Sequence, residues 1–372
     1  MKVAILANGK NSFVKPLAQG LARMTVACGE TADIHYDGLE ILSLPVRMSW
    51  ASPRTAASRA VRLSGNRRRF ESLVARLRDA DVIVVVAHVP ASVSRSSLEN
   101  VEALRERLPD CPIVNYDLVY LPTVEKWGAA MLRGEEVGLG EADLRTFAAG
   151  SFGMERYDWY LVASVASEVP MPRGPQPYSR IGIDLDDGSL YPDQQGELRA
   201  LVDFSQTRKN YPAFRDVQVR ALEQSGIPFQ VLEGQLDRDQ IGAIYRKTGV
   251  FFLAHRESFG LPICELQRCG SLIFTPHAEW AGAHWIKSDP SVAGPGRHSE
   301  NFVVYQNDEN RLVDRLRAAR ESFSPDRVVK TFLQSHPQLF RGDSQALAEF
   351  FRMVNEGKIH SRLNREHAGI GR

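Results

Sequence analysis

The feature that most constrains this chain is an apolar run with no alternation in it. Residues 81–89 read DVIVVVAHV, so the strand they form has no polar face to turn to water and must be covered on both sides. A parallel strand flanked by helices meets that demand, and the chain around it is built of the same parts. Residues 2–7 are an apolar strand, followed by the loop Asn8-Gly9-Lys10-Asn11-Ser12 and an amphipathic helix over 13–24. Two short strand candidates lie in 33–46, a helix in 98–108, a strand in 112–116, a ligand-edge loop in 117–127, and the last strand of a first domain in 158–164. A second series has strands at 198–204, 228–232, 250–254 and 271–275, with helices at 212–224 and 238–246 between them. A strand at 302–305 and a helix at 311–322 come after these. This βαβα alternation predicts an α/β protein with parallel sheets that bind ligands at the carboxyl ends of their strands.

At 372 residues the chain is too long for one core and predicts two domains. The Pro/Gly-rich run VPMPRGPQPYSR reads as the linker, which places a first domain at 1–170 and a second at 171–345. The polar helical tail, 346–372, is expected to cross back to the first domain. A net charge of +1 argues against a dedicated nucleic-acid binder, and no nucleic-acid partner is expected. Cys28, Cys111, Cys264 and Cys269 show no metal-type pairing, and the N-terminus has no signal-peptide pattern. The longest aliphatic run, 82–87, is too short to span a bilayer. These point to a cytoplasmic setting with free thiols.

Residues 54–78, RTAASRAVRLSGNRRRFESLVARLR, hold eight arginines and a single acidic residue, Glu71. Leu73, Val74 and Leu77 repeat at helical spacing beside Arg67, Arg68 and Arg69. A basic amphipathic stretch of this kind docks on an anionic membrane surface, each cation adding about 1 kcal/mol, or is simply a solvated face. The residues leave both readings open.

The chemistry concentrates at residues 249–276, GVFFLAHRESFGLPICELQRCGSLIFTP. It reads as strand, loop, short helix and strand, with Glu257 and Glu265 eight positions apart. Pro262 suits the first helical turn, and Gly260 lets backbone approach a ligand just before it. The amides of Phe259 to Ile263 would then form an anion site for a phosphate or diphosphate. Glu257 and Glu265, bordering that site, are suited to accept bonds from sugar and ribose hydroxyls.

The run Glu257-Ser258-Phe259-Gly260-Leu261-Pro262-Ile263-Cys264-Glu265, with Arg268-Cys269-Gly270 after it, resembles the E-x7-E signature of GT-B-fold, family-4-type retaining glycosyltransferases. Ile181-Gly182-Ile183-Asp184-Leu185 and Leu190-Tyr191-Pro192 are similar to the interdomain segment of the same enzymes. The resemblance implies two Rossmann-like domains facing each other across a cleft, with acceptor bound by the first and nucleotide-sugar donor by the second. Implied donor-site residues are Glu265, Ser258, Phe259, Gly260, Leu261 and Pro262, with Glu257 on the transferred sugar. The family carries an arginine and a lysine after the first strand of the second domain. Ser205 stands at the arginine position here, which leaves Arg208 and Lys209 as the cations for the diphosphate. Gly9 makes a turn or, on the resemblance, approaches donor phosphate and acceptor. His88 is a satisfied core group or, like the family's histidine in this region, a catalytic-site contact to the donor sugar.

The resemblance further implies a retaining transfer of sugar from a nucleotide-diphosphate donor to the hydroxyl of a glycan or lipid-linked acceptor, as in polysaccharide biosynthesis. The arginine stretch would then sit on the inner face of the membrane. No cofactor and no metal are expected; His277, Glu279 and His284 fit no standard ligand spacing. The same fold also hosts nucleotide-sugar epimerases, and an inactive nucleotide-sugar-binding scaffold is a third reading.

Overall fold

A computed structural model describes residues 1–9, 14–36, 53–88, 95–119, 156–164, 177–194, 197–202, 211–233, 236–253, 257, 259–287 and 296–361. The chain divides into two compact units: Met1–Ala163 with Met171–Asp184 and Gly342–Arg372, and Ser164–Pro170 with Leu185–Arg341.

The first unit holds a six-stranded sheet in the order β2-β1-β3-β4-β5-β6. Its strands are β1 (Lys2–Leu6), β2 (Thr31–His35), β3 (Val82–Val86), β4 (Ile113–Val119), β5 (Trp159–Ser164) and β6 (Tyr178–Arg180). β1 pairs in parallel with β2 and β3, β3 with β4, and β5 with β6. The unalternating run is β3, buried at all five positions, as a strand covered on both faces must be. Two expectations are corrected. β5 is not the last strand of this sheet, since β6, a three-residue strand too short and polar to read as one, pairs beside it. Residues 117–119 continue β4 rather than opening a loop.

Helix α1 (Val14–Ala27) packs on β1 and β2 through Leu17, Leu21 and Met24. At Gly20 a Cβ would lie 2.0 Å from the carbonyl oxygen of Asp184, so only glycine admits that approach. Arg23 then bonds Asp184 through Nε to Oδ2 (2.7 Å) and Nη2 to the carbonyl oxygen (3.0 Å). The basic stretch is helix α2 (Pro53–Leu77). Phe70, Leu73, Val74 and Leu77 are buried at helical spacing, while Arg67, Arg68 and Arg69 are exposed. Helix α3 (Arg95–Arg107) carries the buried Arg105, 2.8 Å from Asp158, whose carboxylate also accepts from the Ile113 amide.

The second unit is a five-stranded sheet in the order β11-β10-β9-β7-β8, parallel throughout. The strands are β7 (Ala200–Val202), β8 (Phe229–Val231), β9 (Val250–Phe252), β10 (Leu272–Thr275) and β11 (Phe302–Val304). Helices α4 (Tyr211–Ser225), α5 (Arg238–Lys247) and α6 (Leu261–Arg268) link them, and α7 (Glu309–Ser322) packs on α4. Its core gathers Val202, Leu222, Phe252, Phe274, Tyr305, Leu312 and Leu316. Asp237 starts α5 with a capping box completed by Gln240. Helix α8 (Pro325–Ser335), capped by Ser324, packs against α6 and adds to the elements expected from the sequence. After a short turn the chain re-enters the first unit, where α9 (Ser344–Asn355) packs on α1. Among the described residues no helix is long and apolar enough to cross a membrane.

Candidate functional site

Three short segments build the site in the second unit: the turn after β9, the start of α6, and the loop after β10. Gly260 is the N-cap of α6, with φ 63 and ψ 95 and no side-chain cap. A Cβ there would lie 2.8 Å from both Glu257 Cγ and Ile263 Cδ1, so the turn closes only around glycine. The expected anion cradle is narrower than residues 259–263 suggest. Pro262 has no N–H, and the Ile263 amide donates to the Gly260 carbonyl at 2.9 Å, because the first turn tightens to an i→i+3 bond. Phe259, Gly260 and Leu261 remain as candidate amide donors.

Glu265 lies one turn into α6 with its side chain 13% exposed. Arg238, in the first turn of α5, stands 3.5 Å from Glu265 Oε1 and 3.5 Å from Asp187 Oδ2. Burial nevertheless pushes the Glu265 carboxyl up to about 7; Arg238 opposes the shift and Asp187 adds to it. Glu257 is half-buried, and its carbonyl accepts from the Ala281 amide at 2.6 Å. That bond ties the β9 turn to the β10 loop, where Ala281 takes the left-handed conformation (φ 55). In the same loop His277 and Trp280 pack with Phe214 of α4, ring centroids 5.1 to 5.9 Å apart. His277 and Glu279 come within 4.0 Å, whereas His284 is buried and bonds the Phe259 carbonyl instead. Among the described residues no group of three or more metal-ligating side chains converges.

Glu257, Phe259, Gly260, Leu261, Pro262 and Glu265 thus share one turn of chain. Ser258, Arg208 and Lys209 lie outside the described residues. Gly9 and His88 belong to the first unit. Gly9 is exposed in a turn, and its amide donates to the Tyr36 carbonyl at 3.3 Å. His88 comes after β3 through Ala87, a left-handed residue (φ 52), and is buried. Tyr157 Oη lies 2.6 Å from the His88 carbonyl oxygen and 2.7 Å from Nδ1. A carbonyl only accepts, so the tyrosine proton goes to it and Nδ1–H donates back. Nε2 is left as an unprotonated nitrogen, buried and without a partner among the described residues. Burial brings the ring down to about 4, so it is neutral at pH 7. Arg238, Asp187, Tyr157 and His284 carry no local signal in the sequence, since each meets its partner only through tertiary packing.

No family model matches the chain, and no curated protein matches it in sequence. Solved structures do. An alpha-glucosyltransferase in complex with UDP superposes at a TM-score of 0.54 with 13% identity, covering 95% of this chain and 100% of its own. An alpha-glucosyltransferase complex with UDP and a 13-mer DNA containing an HMU base gives 0.54 and 13%, covering 95% and 99%. A third, with UDP and a 13-mer DNA carrying a central A:G mismatch, gives 0.50 and 12%, again covering 95% and 99%. Identity this low speaks to fold: two Rossmann-like parallel-sheet domains, as in GT-B glycosyltransferases. It does not reach family 4 or the E-x7-E signature. The expectation that nucleic acid plays no part gains no support, since two of these proteins are named as DNA complexes.

Proposed function

We propose that this chain is a retaining glycosyltransferase that moves a sugar from a nucleotide-diphosphate donor to an acceptor hydroxyl. One observation carries the reading: Glu257, the uncapped Gly260 turn and Glu265 stand together past the carboxyl end of β9, where parallel sheets bind ligands. Negative charge grows on the diphosphate as the glycosyl bond breaks. The amides of Phe259, Gly260 and Leu261, with the α6 dipole and Arg208 or Lys209, would stabilise it without a divalent metal. Glu265 holds the ribose hydroxyls and Glu257 those of the sugar. A thermal-shift screen of UDP, GDP, ADP, CMP and dTDP sugars, with and without EDTA, tests this. A ligand at 100 times its Kd adds about 2.7 kcal/mol. The expected result is a selective, EDTA-insensitive shift, lost in Glu265→Ala. No shift with any nucleotide sinks the proposal, and conversion of donor without acceptor, seen by NMR, would mark an epimerase.

The acceptor is read as a glycan or lipid-linked hydroxyl, with the α2 arginines on an anionic membrane. A second reading has its own support: Arg67, Arg68 and Arg69 are exposed while the apolar residues beside them, Phe70, Leu73, Val74 and Leu77, are already buried, and two structural neighbours are named as DNA complexes. On this reading the acceptor hydroxyl belongs to nucleic acid. Replacing all three arginines by Ser decides between them. If they touch DNA phosphates, the slope of log K against log salt flattens by roughly 3, about 0.9 per contact. If they face lipid, co-sedimentation with phosphatidylglycerol vesicles falls and DNA binding does not change. Equal behaviour in both arms removes the patch from either role.

A further inference from the structure

The turn between Glu257 and α6 is held from behind by one short segment. His284 closes a 3-10 turn (Gly282–His284) and is fully buried, with Nε2 2.7 Å from the Phe259 carbonyl oxygen. A carbonyl only accepts, so Nε2 carries the proton, and the buried Nδ1 has no partner among the described residues. The His284 carbonyl in turn accepts from His336 Nε2 at 2.9 Å, which fixes the segment from the other side. Three residues earlier, Ala281 donates to the Glu257 carbonyl at 2.6 Å. Two carbonyls of the turn, those of Glu257 and Phe259, are therefore both fixed by residues 281–284.

This matters because a peptide unit is planar and trans. Pinning the Phe259 C=O toward His284 forces the Gly260 N–H of the same plane to point the opposite way, out from the buried segment. Without the pin, a glycine at φ 63 allows the plane to rotate and present a carbonyl oxygen, which repels an anion. We propose that His284 is a positioning residue that locks the 259–260 peptide so that the Gly260 N–H faces the donor diphosphate. The proposal rests on the donor-site reading, and it assigns to a buried histidine a role in phosphate affinity rather than in chemistry.

The test compares His284→Gln, whose amide nitrogen reaches the place of Nε2, with His284→Leu, which cannot donate. Binding of inorganic pyrophosphate and UDP is measured by calorimetry, beside uridine, which has no phosphate. His284→Leu should lose ten-fold or more in pyrophosphate and UDP affinity with uridine unchanged, and His284→Gln should recover most of it. In wild-type protein the 15N-labelled Gly260 amide should shift on adding pyrophosphate, a readout that needs no variant to fold. A Gly260 amide that does not move, or a folded His284→Leu that binds pyrophosphate as wild type does, overturns the proposal alone. Wild-type protein that binds neither pyrophosphate nor any nucleotide overturns the donor-site reading with it.

Discussion

Glu265 sits in a conflict that a binding carboxylate can use. Burial disfavours its charge enough to bring the carboxyl to about 7, although Arg238 stands within 3.5 Å. A charged carboxylate is the stronger acceptor for ribose hydroxyls, roughly twice a neutral one. Donor affinity should therefore rise as pH goes from 6 to 8 and level off above, because the ionised form is then fully populated. In Glu265→Gln the affinity should be weaker by about 1.5–3 kcal/mol and flat with pH. Titration calorimetry at several pH values checks both, and a wild-type affinity independent of pH would remove Glu265 from the ribose. Glu257→Ala should instead lower kcat with a smaller change in donor KM. The spacing of Glu257, Gly260 and Glu265 is legible in the sequence because one turn of chain carries all three. Arg238 and Asp187 are not, since they reach Glu265 from elements 27 and 78 residues away in sequence. No local pattern encodes such a meeting.

At the scale of elements, the start of α6 depends on a single glycine. Gly260→Ala places a side chain at φ 63 and a Cβ 2.8 Å from Glu257 Cγ and Ile263 Cδ1. Strain of this kind costs about 1–3 kcal/mol, and relief by rotation would turn the amide donor out of the site. The variant should unfold at lower urea and bind donor more weakly, and unchanged donor binding in a folded variant would mean the turn is only structural. Elements with long apolar or amphipathic patterns, such as β3 and α2, are readable without coordinates. β6, three residues of Tyr-Ser-Arg, is not, because its pairing with β5 supplies what its side chains do not. Helix α8 is a different case. Ser324, Pro325 and the pair Val328 and Phe332 are start signals and an apolar stripe written in the chain, so its absence from the expected elements reflects no physical obstacle.

Across the molecule, three of the described histidines, two buried and one half-buried, shape how stability answers to acid. His88 in the first unit, and His284 and His298 in the second, are held neutral by burial, at about 4, 3 and 4. Unfolding returns them to their ordinary value near 6.5, so between about 4.5 and 6.5 the unfolded chain binds more protons and stability falls as pH falls. Each such group contributes about 1.4 kcal/mol per pH unit. Glu265 works in the opposite sense. Its folded value near 7 exceeds the ordinary 4.5, so in the same window the folded state holds the extra proton and gains stability as pH falls. Among the described residues of the second unit two such histidines act against one glutamate, and their net slope is about that of a single histidine. Removing the glutamate uncovers the second. Urea unfolding of wild type and Glu265→Gln between pH 5 and 6.5 should therefore show a steeper loss in the variant, by about 1.4 kcal/mol per pH unit. The variant should also gain relative to wild type as pH rises toward 8, where the buried carboxylate is charged at a cost to the fold. Parallel pH dependences would mean that Glu265 titrates alike in folded and unfolded chains, and that binding, not burial, would have to account for any pH effect on the donor.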